Sequence, residues 1–329
     1  MALSAALPRV RALVVTNMWP SPERPAFGRF VYDQVRALQA IDGIEVEVEA
    51  IAGGAALAYA RSGLDLRRRH RRGPRFDVVH AHFGLSAWPA LAVPGRVHAV
   101  TLHGTDLEHP RSRAITLAAL PRLDLVGVVS EELRGRVPRW APARVRRRGP
   151  GVQVLPCGVD LGRFRPLDRE ESRTALGLDP ARRHVLFAAD PARAEKRYDL
   201  AQALVDAIAA PRPELLALVG VEPERVPLWI NAADAVLVPS DREGFGLAVL
   251  EALACDVPVL ATPHGVAPEA LAGVAGTYCG DFSLDAWGGV LAAHLATPDP
   301  RVDGRVAAER YSATAMAARV AASWRAALA

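Results

Sequence analysis

Asp234-Ala-Val-Leu-Val-Pro-Ser-Asp-Arg-Glu-Gly-Phe-Gly-Leu-Ala-Val-Leu-Glu-Ala-Leu-Ala-Cys-Asp-Val-Pro-Val-Leu-Ala-Thr-Pro-His-Gly-Val-Ala-Pro-Glu269 is the stretch that decides the fold. An apolar run over 235–238 stops at Pro239, a loop with two glycines follows, and then helix formers over 247–254. A second apolar run occupies 257–261, so the stretch reads as one strand–helix–strand unit of a parallel sheet. Glu243 lies in the loop and Glu251 eight residues later, in the helix. Gly244 and Gly246 let the backbone amides at the helix start approach a ligand, where free N–H groups and the helix dipole favour an anion. Glu251 can accept hydrogen bonds from sugar hydroxyls, although a solvated helix residue would look the same.

Working outward, strand and helix patterns alternate along the whole chain. The first half shows strands over 11–16, 44–51, 76–82, 97–103, 123–130 and 152–156, with helices over 29–39, 85–93, 113–120 and 131–137. The second half adds helices over 170–176, 198–208, 227–233 and 305–328, and strands over 184–189 and 214–219. Such βα alternation predicts α/β architecture with doubly wound parallel sheets, whose ligand crevice lies at the carboxyl ends of the strands. Gly28 closes a Pro-rich loop at one such end, and His103-Gly-Thr-Asp106 begins at another. His103 there can hydrogen-bond a sugar hydroxyl or a developing phosphate charge. Asp106 is a weaker candidate for orienting an acceptor, and His80 and His82 read as packing or cleft-lining residues. Asp256 falls at a helix-end turn where glycine is the easier choice and aspartate is tolerated.

Charge is unevenly distributed. Residues 1–165 carry 25 Arg and 14 acids, net +11, whereas residues 166–329 carry 15 basic residues and 22 acids, net −7. The basic half suggests anionic partners. Its densest run is Arg67, Arg68, Arg69, His70, Arg71 and Arg72, within a Gly/Ala-rich then basic stretch too polar to pack inside; a second run is Arg144, Arg146, Arg147 and Arg148. Either run reads as a solvated loop or as a surface for an anionic bilayer, each arginine near such a surface contributing ~1 kcal/mol. The basic runs lack interleaved aromatics, which argues against nucleic acid. Three cysteines without metal-ligand spacing suggest a reducing compartment. No apolar run reaches spanning length, and the start is too short for a signal segment, so a soluble, cytoplasmic protein is expected.

Of 40 basic residues only Lys196 is lysine. It follows Arg193 by three residues just before the 198–208 helix, and two cations beside a helix N-terminus fit a diphosphate.

Glu243-Gly-Phe-Gly-Leu-Ala-Val-Leu-Glu251 resembles the E-x7-E motif of family 4, group 1 glycosyltransferases, which are retaining enzymes of the GT-B fold. The His-Gly dipeptide at His103, the linking segment Leu155-Pro-Cys-Gly-Val-Asp-Leu-Gly-Arg-Phe-Arg-Pro166 and the Arg193/Lys196 pair extend the resemblance over most of the chain. It departs from the family in having Cys157 for Asn in the link, one glycine rather than a pair at Gly28, and Arg197 where glycine is usual. The resemblance implies two Rossmann-like domains facing a central cleft. These are an acceptor-side domain over 1–165, a donor-side domain over 166–304, and a helix over 305–329 packing back on the first. It implies transfer of a sugar from a nucleotide-diphosphate sugar to a saccharide or lipid-linked acceptor, in polysaccharide or glycolipid assembly at the cell envelope. The enzyme class is then hexosyltransferase (EC 2.4), peripheral at the membrane's inner face. His103, Arg193, Lys196 and Glu243 would be catalytic. Gly28, Gly244, Phe245, Gly246, Leu247 and Glu251 would join Arg193 and Lys196 in binding the donor. With no D-x-D present, no cofactor or metal is expected. A nucleotide-sugar 2-epimerase, or a non-catalytic sugar-nucleotide or membrane-surface binder, fits the same scaffold.

Overall fold

The computed structural model describes residues 9–52, 56–140 and 151–329. The basic run at 144–148 therefore lies outside the described residues. The chain forms two compact units, residues 1–158 with 313–329, and residues 159–312.

The first unit is built on a six-stranded sheet in the order β2-β1-β3-β4-β5-β6. Its strands are β1 Val10–Thr16, β2 Ile44–Ala50, β3 Phe76–His82, β4 Gly95–Leu102, β5 Leu125–Val128 and β6 Gln153–Val154. All pairings are parallel. The inner strands are apolar almost throughout because helices cover both their faces, while β2 at the edge alternates buried Ile44 and Val46 with exposed Glu45 and Glu47. The first helix, Arg29–Gln39, buries Val31, Gln34, Val35 and Leu38 on one face.

The final helix, Ala313–Leu328, completes this core with Met316, Ala317, Val320, Ala321 and Trp324. The sequence reads as one helix over 305–328, but the structure has two, Arg305–Glu309 and Ala313–Leu328. The break coincides with the passage from the second unit to the first at Ser312, where the chain pairs alongside Val159.

The stretch expected to be too polar to pack inside is instead largely a helix, Ala56–His70. Tyr59 and Leu66 recur at helical spacing and are buried, while Gly63 lies against Pro89. Arg67, Arg68 and Arg69 occupy its last turn, where cations complement the carbonyl end of the dipole, and Arg71 and Arg72 follow just beyond it.

The second unit holds a five-stranded sheet ordered β11-β10-β9-β7-β8. The strands are β7 His184–Phe187, β8 Glu214–Ala217, β9 Ala235–Val238, β10 Val259–Ala261 and β11 Tyr278–Cys279, again parallel. Its core gathers Val185, Phe187, Leu204, Leu237, Leu260 and Trp287. At the amino ends of β7 and β9, Asp234 is fully buried and accepts from Arg169 at 2.8 Å, Arg173 at 2.9 Å, Arg183 at 3.0 Å and the His184 amide at 2.8 Å. Three cations thus compensate one buried anion, tying the helix Arg169–Leu176 to the sheet.

Each sheet reverses its strand order once, between β1 and β3 and between β7 and β9. A parallel sheet opens its ligand crevice at the carboxyl ends beside such a reversal.

Candidate active site

In the second unit, the loops leaving β7 and β9 carry the predicted residues. A 3-10 turn, Ala194–Lys196, places Lys196 Nζ 2.6 Å from both carboxylate oxygens of Glu243. The pair is largely enclosed, with side-chain exposures of 13% and 10%. Ser240 Oγ donates to Glu243 Oε1 at 2.7 Å, and Thr262 Oγ1 donates to the Ser240 carbonyl at 2.6 Å, fixing the carboxylate from behind. The Asp241 amide donates to the Glu195 carbonyl at 2.9 Å, stitching the two loops together.

Gly246, in the left-handed region at φ +89°, opens the helix Leu247–Ala254, so the amides at its start lack intrahelical partners. Glu251 sits half-buried on this helix, and buried Phe245 lies against Tyr311. Gly265 faces the same loop. A Cβ there would come within 2.3 Å of the Phe245 carbonyl oxygen, so only glycine lets Val266 N–H donate to that carbonyl at 2.7 Å.

Arg193 is not brought onto this pair. Its guanidinium lies 57% exposed on Glu195, at 2.7 Å and 3.0 Å. Arg197, where the family carries glycine, holds φ +58° and bridges Asp199 and Asp241. Asp256 takes φ +55°, as its helix-end position implies, and accepts from the Gly304 and Arg305 amides.

In the first unit, His82 at the end of β3 and His103 just beyond β4 meet side by side, Nδ1 to Nε2 at 3.0 Å. Phe30 lies against His103 at 4.9 Å between ring centroids. Burial holds His103 well below the usual histidine range and pushes His82 to about 3, so both rings are neutral. Asp106 is wholly buried, and its carboxylate accepts the His103 amide at 2.6 Å and 3.2 Å. Burial raises that carboxyl to about 7. Its observed work is thus to anchor the His103 backbone. Gly28 is demanded by its own chain, because a Cβ at φ +72° would lie 2.3 Å from the Met18 carbonyl carbon. A cavity of about 800 Å³ lies elsewhere in the second unit, near Arg182, Arg212 and Leu284, and contains none of the predicted residues.

Ser240, Thr262 and Gly265 escaped the sequence reading as parts of the site, as did Gln34, whose amide nitrogen lies 3.1 Å from His82 Nε2. Of these only Gly265 left a signal, a glycine just after β10.

Two family models match the chain, "Glycosyl transferases group 1" over residues 210–289 and "Glycosyltransferase Family 4" over residues 50–163. A D-inositol 3-phosphate glycosyltransferase of Segniliparus rotundus is 31% identical over 305 aligned positions, covering 77% of this chain and 67% of that protein. The chain thus spans about two thirds of that relative's length. Among solved structures, sucrose-phosphate synthase from Thermosynechococcus elongatus superposes with a TM-score of 0.78 at 17% identity, covering 96% of this chain and 98% of the other. The Anabaena protein Alr3699/HepE, in complex with UDP and glucose, gives 0.68 at 14% identity, covering 95% and 99%. Both share the fold. With the parallel sheets, the Lys196–Glu243 pair and the glycine-led helix carrying Glu251, the sequence match settles the kinship: the chain belongs to the family 4, group 1 glycosyltransferases of GT-B fold.

Proposed function

We propose that the protein transfers a sugar from a nucleoside-diphosphate sugar to a hydroxyl acceptor with retention at the anomeric carbon. The observation that carries this reading is the enclosed Lys196–Glu243 pair beside the amides that open the Leu247–Ala254 helix. Breaking the anomeric C–O bond sends its electron pair to the diphosphate, whose added charge must be held where it develops. Lys196 supplies that positive charge without a metal, with Arg193 released from Glu195 as a second cation. A donor phosphate competes with Glu243 for Lys196, and the freed carboxylate turns to the sugar hydroxyls. The amides of Phe245, Gly246 and Leu247 face the same anion, and Glu251 accepts from the ribose. His103, neutral, offers a hydrogen bond to a substrate oxygen in the first unit. The acceptor oxygen bonds to the same face of the anomeric carbon and passes its proton to the leaving phosphate.

The acceptor is a saccharide or lipid-linked sugar of envelope polysaccharide or glycolipid assembly, met at an anionic membrane surface. The exposed side of the Ala56–His70 helix supports that surface contact, because Leu57 and Leu64 stand there with Arg61, Arg67 and Arg68.

The test is turnover with UDP-glucose first, the donor bound in the Anabaena structure, then GDP- and ADP-sugars, each with and without chelator. Product should retain anomeric configuration and form in chelator. Inverted product, or strict dependence on magnesium or manganese, overturns the reading.

A further inference from the structure

A line of three hydrogen-bonding side chains crosses the first unit from its first helix to the end of β4. Phe30 and Gln34 lie four residues apart on one face of that helix; Phe30 covers His103, and the Gln34 amide nitrogen reaches His82 Nε2 at 3.1 Å. His82 Nδ1 then lies 3.0 Å from His103 Nε2. His82 is fully buried.

A neutral imidazole carries one N–H and one bare nitrogen, while an amide nitrogen only donates. Gln34 therefore makes His82 Nε2 the acceptor, which puts the His82 proton on Nδ1. That proton points at His103 Nε2 and makes it an acceptor too. The remaining proton of His103 is then on Nδ1, which has no protein partner among the described residues.

We propose that Gln34 and His82 are positioning residues that fix His103 as an Nδ1–H donor for a substrate oxygen. The neighbouring ring is set independently and the other way round. Trp324 Nε1 donates to His80 Nδ1 at 2.9 Å, so the His80 proton sits on Nε2 and reaches Thr101 Oγ1 at 2.8 Å. His80 stacks on His82 at 4.9 Å and 17°, holding its ring plane. A ring nitrogen's role is decided by the bond its partner nitrogen makes, and here that decision is relayed through two rings. Burial supports the relay by keeping all three histidines neutral.

The donor role rests on the reading that His103 meets substrate, but the proton positions do not. They are read directly by long-range proton–nitrogen NMR on the full chain with nitrogen-15-labelled histidine at pH 7.5. His82 and His103 should show protons on Nδ1, and His80 on Nε2. Gln34→Glu supplies an acceptor in place of the donor, so both His82 and His103 should switch to Nε2–H, turning His103 Nδ1 into an acceptor. Transfer in that variant should fall about tenfold in kcat, with donor KM nearly unchanged. Gln34→Ala, which packs with less strain if the glutamate variant does not fold, should leave His103 a mixture of both forms. Wild-type His103 protonated on Nε2, or variants that leave its proton in place, overturn the relay. Switched protons with unchanged kcat overturn the donor role. Lys196→Ala, which touches neither ring, reports on the transferase reading separately.

Discussion

In the first unit the side chains at the carboxyl ends of β3 and β4, buried His82 and half-buried His103, are neutral and joined in a row; in the second, those beyond β7 and β9 are charged and paired. Both sheets reverse strand order in the same way, so topology does not account for the contrast. What differs is how each site pays for burial. The histidines discharge themselves, their folded state disfavouring protonation. Lys196 and Glu243 keep their charges by neutralising one another. On the proposed reading, a site that yields a cation to a diphosphate can store it as an ion pair, and one that only offers a hydrogen bond needs no charge.

Breaking that contrast is easiest in the second unit. Asp234→Ala leaves Arg169, Arg173 and Arg183 without their shared anion, so thermal or denaturant unfolding should show a loss of about 3–5 kcal/mol. Lys196→Ala should lower kcat about 10²–10³-fold, the magnitude for one preorganised group facing developing charge, with circular dichroism unchanged. A stability–pH profile sharpens the other side of the comparison. The unfolded chain protonates its histidines near about 6.5 while folded His80, His82 and His103 resist, so stability present above that pH is lost as pH falls. Asp106 opposes this, because folded Asp106 takes its proton from about 7 downward, ahead of the unfolded chain, and gains stability on acidification. Asp106→Asn should therefore stabilise the protein at pH 8 and steepen its acid loss between pH 7 and 4. Ser240→Ala removes a hydrogen bond to the Glu243 carboxylate, and a kcat loss of roughly tenfold is expected. Arg197→Gly relieves a positive φ but gives up two solvent-screened ion pairs, so the melting midpoint should barely move.

Much of this was legible in the chain. Both sheets follow from apolar runs of strand length separated by helical periodicity, and Lys196 and Glu243 each stood out, as a lone lysine and as a glutamate in a glycine-bearing loop, but their pairing with one another was not legible. The helix at Ala56–His70 was hidden because alanines and glycine dilute its apolar stripe to Tyr59 and Leu66. Ser240 and Gln34 were illegible for another reason: a single serine or glutamine carries no periodic signal, and Gln34 acts on His82, 48 residues along the chain, on another element. Arg193 shows the limit from the opposite side, since spacing placed it near Lys196 but could not tell that Glu195 claims its guanidinium.

The chain leaves the first unit at Gly158 and re-enters it at Ala313, so the second unit is an insertion whose two ends run side by side, Val159 N–H donating to the Tyr311 carbonyl at 2.8 Å. During synthesis the domain begun first is thus completed last. Until Trp324 has emerged, its strands lack the wall that caps them and His80 lacks its indole donor, while the inserted domain already has every residue it needs to fold.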